Sequence, residues 1–175
     1  MWNPDEVEVR RADAREFEKL YEQSRSRLAG QLFAFTGDRQ DAFDLVQEAF
    51  VRTWERWERV AGYDDPEAYV RRVAFNLAKS RWRRFTRIPR AVELARSEVE
   101  VDTEIRHDLV AALSGIPASE REAIVRHYLA DEPIERIARE MHAPVGTVKS
   151  WLSRGRARLA ARLGVDDHGE VTAHE

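Results

Sequence analysis

The feature that most constrains this chain is a stripe of apolar residues at helical spacing ending in two tryptophans. Ala42, Leu45, Val46, Ala49, Phe50, Thr53, Trp54 and Trp57 recur at i, i+3, i+4 and i+7, a period that lines up one side of an α-helix and neither face of a strand. The stripe predicts a helix over Gln40–Arg59 with that side buried. A first helix is expected from Ala14 to Phe35, with Phe17, Leu20, Tyr21, Leu28, Leu32 and Phe35 inward. Thr36-Gly37-Asp38 separates the two, and Asp38 can cap the second. Asp65-Pro66-Glu67 opens a third helix with a capping acid, a proline in the first turn and an acid near the positive helix end. That helix is expected to bury Tyr69, Val70, Val73, Ala74 and Leu77. Strand-like alternation is almost absent, so an all-α fold is expected.

Ile88-Pro89 closes this unit, and the acidic stretch after Ala91 has too few aromatics to pack. Two small helical domains, 14–90 and 103–163, are therefore expected, joined by a flexible acidic linker over 91–102 and followed by an acidic tail over 164–175. In the second domain Gly115-Ile116-Pro117 ends one helix. Ser119-Glu120-Arg121-Glu122 reads as a capping box for the next, which runs to about Leu129. Asp131-Glu132-Pro133 opens a short helix with Ile134, Ile137, Ala138 and Met141, and His142-Ala143-Pro144 is a turn. A last helix then begins at Gly146-Thr147, with Val148, Trp151 or Leu152, and Leu159 as candidates for its inner side. Two short helices around a tight turn, the second basic, form a helix-turn-helix pattern.

Charge is segregated. The net charge is -3 and 35% of residues are charged, against about 25% in an average soluble domain. From Ala68 to Val92 there are eight basic residues and no acid, and from Pro144 to Val165 five basic residues and no acid. Between Asp38 and Glu67 nine acids face four basic residues. Two cationic islands in an acidic protein point to two contacts with a polyanion. The chain has no cysteine, which excludes disulfides, thiolate zinc sites and a cysteine nucleophile. The five histidines lack metal-ligand spacing, and no glycine-rich phosphate loop or nucleophile–base arrangement occurs. No enzyme, metal site or cofactor is expected. No apolar stretch approaches the roughly 20 residues of a membrane span, and the N-terminus lacks signal-peptide character, so no membrane insertion and a cytoplasmic location are expected.

Each island suggests a different target. At the start of the last helix Gly146, Thr147, Lys149, Ser150, Ser153 and Arg154 are placed to meet base edges and phosphates of a duplex, with Arg156 nearer the phosphates. On the third helix Arg72, Phe75, Asn76, Lys79, Trp82 and Arg83 recur three or four apart, with Arg71 beside them. This cationic stripe with aromatics set into it suits a strand whose bases are exposed, and the loop Val60–Asp65 before it can wall a pocket for an extruded base. The second helix is too negative for DNA. Its Asp41, Asp44, Gln47, Glu48 and Arg52 offer a surface to a basic protein.

At these residues the chain resembles bacterial RNA polymerase sigma factors of the extracytoplasmic-function group. The stretch from Asp41 to Trp54 is similar to that family's core-polymerase-binding helix, and Asp65 to Arg84 to the helix that reads the minus-ten promoter element. Leu113 to Glu122, and above all Pro144 to Leu159, resemble the domain that reads the minus-thirty-five element. The resemblance implies that Asp41, Asp44, Leu45, Gln47, Glu48, Val51 and Arg52 bind core RNA polymerase and that promoter DNA is the other partner. It implies that Arg71, Arg72, Phe75, Asn76, Lys79, Trp82 and Arg83 capture and melt the minus-ten strand. Such factors are often held inactive by an anti-sigma factor. A stand-alone helix-turn-helix regulator is the alternative. Two positions and one segment depart from the family: Trp151 replaces a basic residue, Gly155 replaces an alanine, and Ala130–Pro133 lacks the usual small-residue entry into the helix-turn-helix.

Overall fold

The structure, a computed structural model, describes the backbone of residues 4–85 and 103–164 and the side chains of residues 13–81 and 108–164. The linker expected over 91–102 and the tail beyond Gly164 lie outside them. Every regular element among the described residues is helical: α1 (Pro4–Thr36), α2 (Arg39–Trp54), α3 (Trp57–Val60), α4 (Pro66–Phe85), α5 (Thr103–Ser114), α6 (Ala118–Ile124), α7 (Ile134–Glu140) and α8 (Val145–Leu163). Contacts divide these into two compact units, one built on most of α1 with α2, α3 and α4, the other on α5 to α8.

In the first unit α2 packs along α4, and its stripe of Ala42, Leu45, Val46, Ala49, Phe50 and Thr53 is buried. The Thr53 hydroxyl donates to the Ala49 carbonyl at 2.7 Å, which satisfies the one polar group in the stripe. Phe17 of α1 meets Phe50 edge-on at 5.9 Å and Trp57 at 5.1 Å, and Tyr21 meets Phe50 at 4.9 Å. The helix expected over Gln40–Arg59 is interrupted at Glu55-Arg56. Trp57 is buried as expected, while Trp54, the last residue of α2 and also expected inward, stays 46% exposed. At the start of α4 the Ala68 amide donates to Asp65 Oδ1 at 2.9 Å, the expected cap. The buried side of α4 is Ala68, Val70, Ala74, Phe75 and Ala78; Tyr69, Val73 and Leu77 are only half-buried.

In the second unit Val110, Leu113, Ile116, Ile124, Val125, Ile137, Val148 and Leu152 form the core. The expected capping box is not built. Helix α6 begins at Ala118 behind Pro117, with no side-chain cap, so Ser119 falls inside the first turn, and Glu120 and Glu122 are buried. Beyond Ile124 the helix widens into a π-turn over Val125–Leu129. Asp131 then takes a left-handed conformation at φ 51°, which lets a non-glycine residue make the entry into α7 at a conformational cost. Gly155 is buried where α8 crosses α6, and a Cβ there would stand 2.5 Å from Ile124 Cδ1. The glycine thus permits the close approach of the two helices.

Candidate nucleic-acid and protein-docking interfaces

The second unit holds its helix-turn-helix with buried charge. Arg126, fully buried, places Nε 3.2 Å from Glu122, and its Nη1 lies 3.1 Å from Glu132 and 2.6 Å from Glu140. Burial disfavours its charge, but the carboxylates outweigh that and raise its pKa above the ordinary value. One cation thereby joins α6, the turn and α7. Arg121, also buried, is pulled down to about 10 by desolvation. Glu120 of α6 accepts from Arg154 Nε at 3.0 Å and from Arg158 Nη1 at 2.7 Å, and Arg162 donates to the Gly115 carbonyl at 3.0 Å.

This scaffold positions α8 on Val148, Leu152 and Gly155, its buried residues. Gly146, Lys149, Ser150, Ser153, Arg154 and Arg156 are exposed and Thr147 is half-buried, so the expected duplex-reading residues lie on its outer surface. Ser150 Oγ donates back to the Gly146 carbonyl at 2.9 Å. Trp151 is half-buried, which places it at the edge of the packed side. Sequence patterning gave no sign of Glu120, because a charged residue at a helix start reads as solvated; a helical carboxylate opposite two arginines four residues apart is visible only in three dimensions.

The α4 stripe is revised in two places. Phe75, expected among the exposed aromatics, is fully buried in the first unit's core and cannot meet a base. Arg71, expected on nucleic acid, is buried and bound to Glu67 at 2.8 Å; Glu67 also holds Arg27 of α1. Arg72 and Asn76 are exposed and Lys79 is half-buried. The side chains of Trp82 and Arg83 lie outside the described residues. Beside Arg72 opens a cavity of about 710 Å³, lined by Trp54, Arg56, Trp57, Tyr63, Tyr69 and Arg72 among others. Tyr63 packs edge-on to Tyr69 at 5.8 Å, and Arg72 lies over the Tyr69 ring at 4.9 Å. Arg56 donates to the Tyr69 hydroxyl at 3.4 Å, which raises the pKa of that guanidinium. The Trp57 indole N–H is buried without a hydrogen-bond partner. Aromatic faces with donors at their edges can take a planar, acceptor-bearing group. The loop before α4 was expected here; Trp54, Arg56, Trp57 and Tyr69 were missed, since the sequence does not reveal the break at Glu55-Arg56.

On α2, Asp44 and Gln47 are exposed, and Asp44 accepts from Gln40 at 3.0 Å. Asp41 is bound to Arg81 of α4, and Glu48 lies 3.5 Å from Arg81 and 2.6 Å from Arg52, so part of this acidity holds helices together. Leu45, expected among the partner-binding residues, is fully buried and can act only through the core. Val51 is 61% exposed, with Phe43 and Trp54 also exposed. Phe43, Gln47, Val51 and Trp54 fall four, four and three residues apart, so an apolar strip borders the exposed acids. Neither Phe43 nor Trp54 was expected on this strip: Phe43 lies eight residues before Val51 with Gln47 midway, off the buried stripe, whereas Trp54, three residues after Val51, also fits the spacing of the buried stripe. Among the described residues no group of His, Asp and Glu could hold a metal ion, and no helix is long and apolar enough to cross a membrane.

Two family models match the chain: sigma-70 region 2 over residues 20–88 and sigma-70 region 4 over residues 106–159. The RNA polymerase sigma-E factor of Streptomyces antibioticus is 32% identical over 157 residues, covering 87% of each chain. The sigma-E factor of Streptomyces coelicolor is 31% identical, covering 87% of this chain and 88% of that one. The fold is similar to that of the Bartonella quintana sigma factor RpoE, solved in complex with the anti-sigma factor NepR, with a TM-score of 0.72, 22% identity and coverage of 86% of this chain and 98% of that one. Both halves of a sigma factor thus match, in order, over the two helical units. The chain belongs to the extracytoplasmic-function group of RNA polymerase sigma factors, which direct transcription initiation and are not enzymes.

Proposed function

We propose that the three surfaces divide the work of initiation. The strip of Phe43, Gln47, Val51 and Trp54 with Asp44 and Arg52 docks core RNA polymerase. Arg72, Asn76 and Lys79 follow the backbone of the minus-ten strand, with Trp82 and Arg83 farther along α4, while the cavity beside Tyr63 and Tyr69 accepts a base drawn out of the stack. Gly146, Thr147, Lys149, Ser150, Ser153, Arg154 and Arg156 meet minus-thirty-five duplex. Capturing an unstacked base offsets the few kcal/mol that unpairing costs, so the pocket favours the open state without any chemistry. The observation that carries this reading is the aromatic cavity immediately before the basic helix, on the same unit as an acidic helix with an exposed apolar strip.

The protein acts in the cytoplasm, where polymerase is, and an anti-sigma factor holds it inactive, as the RpoE–NepR complex suggests for a protein of this fold. A stand-alone helix-turn-helix regulator would need only the second unit, and is not favoured by a chain matching both sigma regions. Run-off transcription with purified core RNA polymerase tests the reading. Start-site-specific RNA should appear only when this chain is added. Tight duplex binding without polymerase, and no such RNA, would overturn it.

A further inference from the structure

Glu120 sits in the first turn of α6, 4% exposed, yet it faces the helix that carries the duplex-reading residues. Each of its oxygens takes one arginine: Oε1 accepts from Arg154 Nε at 3.0 Å and Oε2 from Arg158 Nη1 at 2.7 Å. The carboxylate is buried, while the two arginine side chains remain about half exposed, 53% and 47%. The pair is therefore anchored at its inner end and open at its outer end. Both arginines already pair with this carboxylate within the folded chain, so they are held before any DNA arrives.

The atoms used are what matter. Arginine addresses the O6 and N7 acceptors of guanine with two parallel donors. Arg154 is bound through Nε, which leaves Nη1 and Nη2 as the outward pair. Arg154 shares its side of α8 with Ser150 and Thr147, four and seven residues earlier, in the turns expected to enter the groove. A guanidinium fixed at its inner nitrogen also has fewer rotamers to lose on binding.

We propose that Glu120 is a positioning residue for promoter reading: it holds Arg154 with its terminal donors outward and braces Arg158 beside it. This rests on the reading of α8 as the duplex-reading helix.

The test uses the holoenzyme, core polymerase with the full chain, and the duplex it enriches from a random pool. Affinity for that duplex and for a scrambled one is measured for the wild type, E120Q, R154A and the double variant, with thermal melting as a control on folding. A glutamine offers one accepting oxygen in place of two and no charge, so it cannot keep the present arrangement of one oxygen for each arginine. E120Q should reduce the preference for the selected duplex about tenfold, in the range of one bidentate base contact, without weakening scrambled-duplex binding. The double variant should be no less selective than R154A. Wild-type preference in E120Q, multiplicative losses in the double variant, or equal losses on both duplexes would each overturn the proposal. If E120Q melts early, R154K replaces it: one ammonium cannot both hold Glu120 and span two guanine acceptors. Its preference should fall to the R154A level, and wild-type preference there would overturn the proposal. Unchanged preference in R154A itself would instead show that the reading of α8 is wrong.

Discussion

Arg126→Met should unfold the helix-turn-helix and spare the unit that carries α2 and α4. Arg126 is fully buried against Glu122, Glu132 and Glu140, two of which are themselves almost inaccessible. Methionine fills much of the same space but leaves three carboxylates facing one another without a cation. Removing one partner of a buried ion pair costs about 3–5 kcal/mol, and here one partner serves three. A helical unit of roughly 60 residues is held by about 3–9 kcal/mol in total, so the loss removes most of its stability. Hydrogen exchange on the full chain separates the two units. Amides of α6, α7 and α8 should lose protection in the variant while those of α2 and α4 keep theirs, and binding to core polymerase should persist. Undiminished protection in α6–α8 would refute the reasoning, because it would mean that the three carboxylates need no cation among them.

Gly155→Ala should gain up to about 1 kcal/mol of helix propensity and lose more, roughly 1–3 kcal/mol, to overpacking against Ile124. Adding Ile124→Val removes the Cδ1 atom 2.5 Å from the new Cβ and should restore part of the melting midpoint; a Gly155→Ala chain more stable than the wild type would contradict this. Asp65→Ala should cost about 1 kcal/mol by uncapping α4, read by denaturant titration, and no change in midpoint would discount the cap. Asp44→Lys, at an exposed position, should weaken core-polymerase association at least tenfold in a pull-down titration without changing the melting midpoint; unchanged association would move the docking surface elsewhere. Tyr63→Ala should weaken binding of minus-ten single strand by about 1–3 kcal/mol if a base stacks there, and equal affinity would empty the proposed pocket.

Much of this was legible because punctuation and periodicity act locally. Asp65-Pro66, Gly115-Ile116-Pro117, Asp131-Glu132-Pro133 and Pro144 each mark a helix boundary that the structure retains within a residue or two. What the pattern left open on α4 was the edge of the buried side: Val70 and Ala74, expected inward, are fully buried, while Tyr69, Val73 and Leu77 are half-buried. On α4 apolar residues cover more than half the circumference, so a stripe through Tyr69, Val73 and Leu77 and one through Ala68, Phe75 and Ala78 are equally regular; the packing of α2 decides between them. Trp54 obeyed the spacing of α2, but the turn after it ended the helix whose period it followed. The capping box failed because the helix is capped at Pro117, two residues before Ser119. The buried charge of the second unit left no mark on the sequence pattern. Glu120, Glu122, Arg126 and Glu132 are all buried, and partners six, fourteen or thirty-four residues away make that affordable only after folding.

The same pairing bears on why two units share one chain. Of the cations on α8, Arg154 and Arg158 are tied to Glu120, and Arg162 is tied to a backbone carbonyl. Lys149 and Arg156 make no ion pair among the described residues. Non-specific affinity for DNA grows with the number of phosphates neutralised, so under the proposed function a helix with most of its arginines tied to protein groups would bind duplex weakly and select by geometry. On α4 the commitment is similar: Arg71 is held by Glu67, and Arg81 by Asp41 and Glu48. Two weak, selective contacts become one firm contact when a third body fixes both near the same DNA, because the second then binds at high effective concentration. Under the proposed function, a chain built this way would gain little by binding promoters alone and much by binding them on polymerase. The acidic residues Asp41, Glu48, Glu67 and Glu120 would serve that end by restraining its arginines.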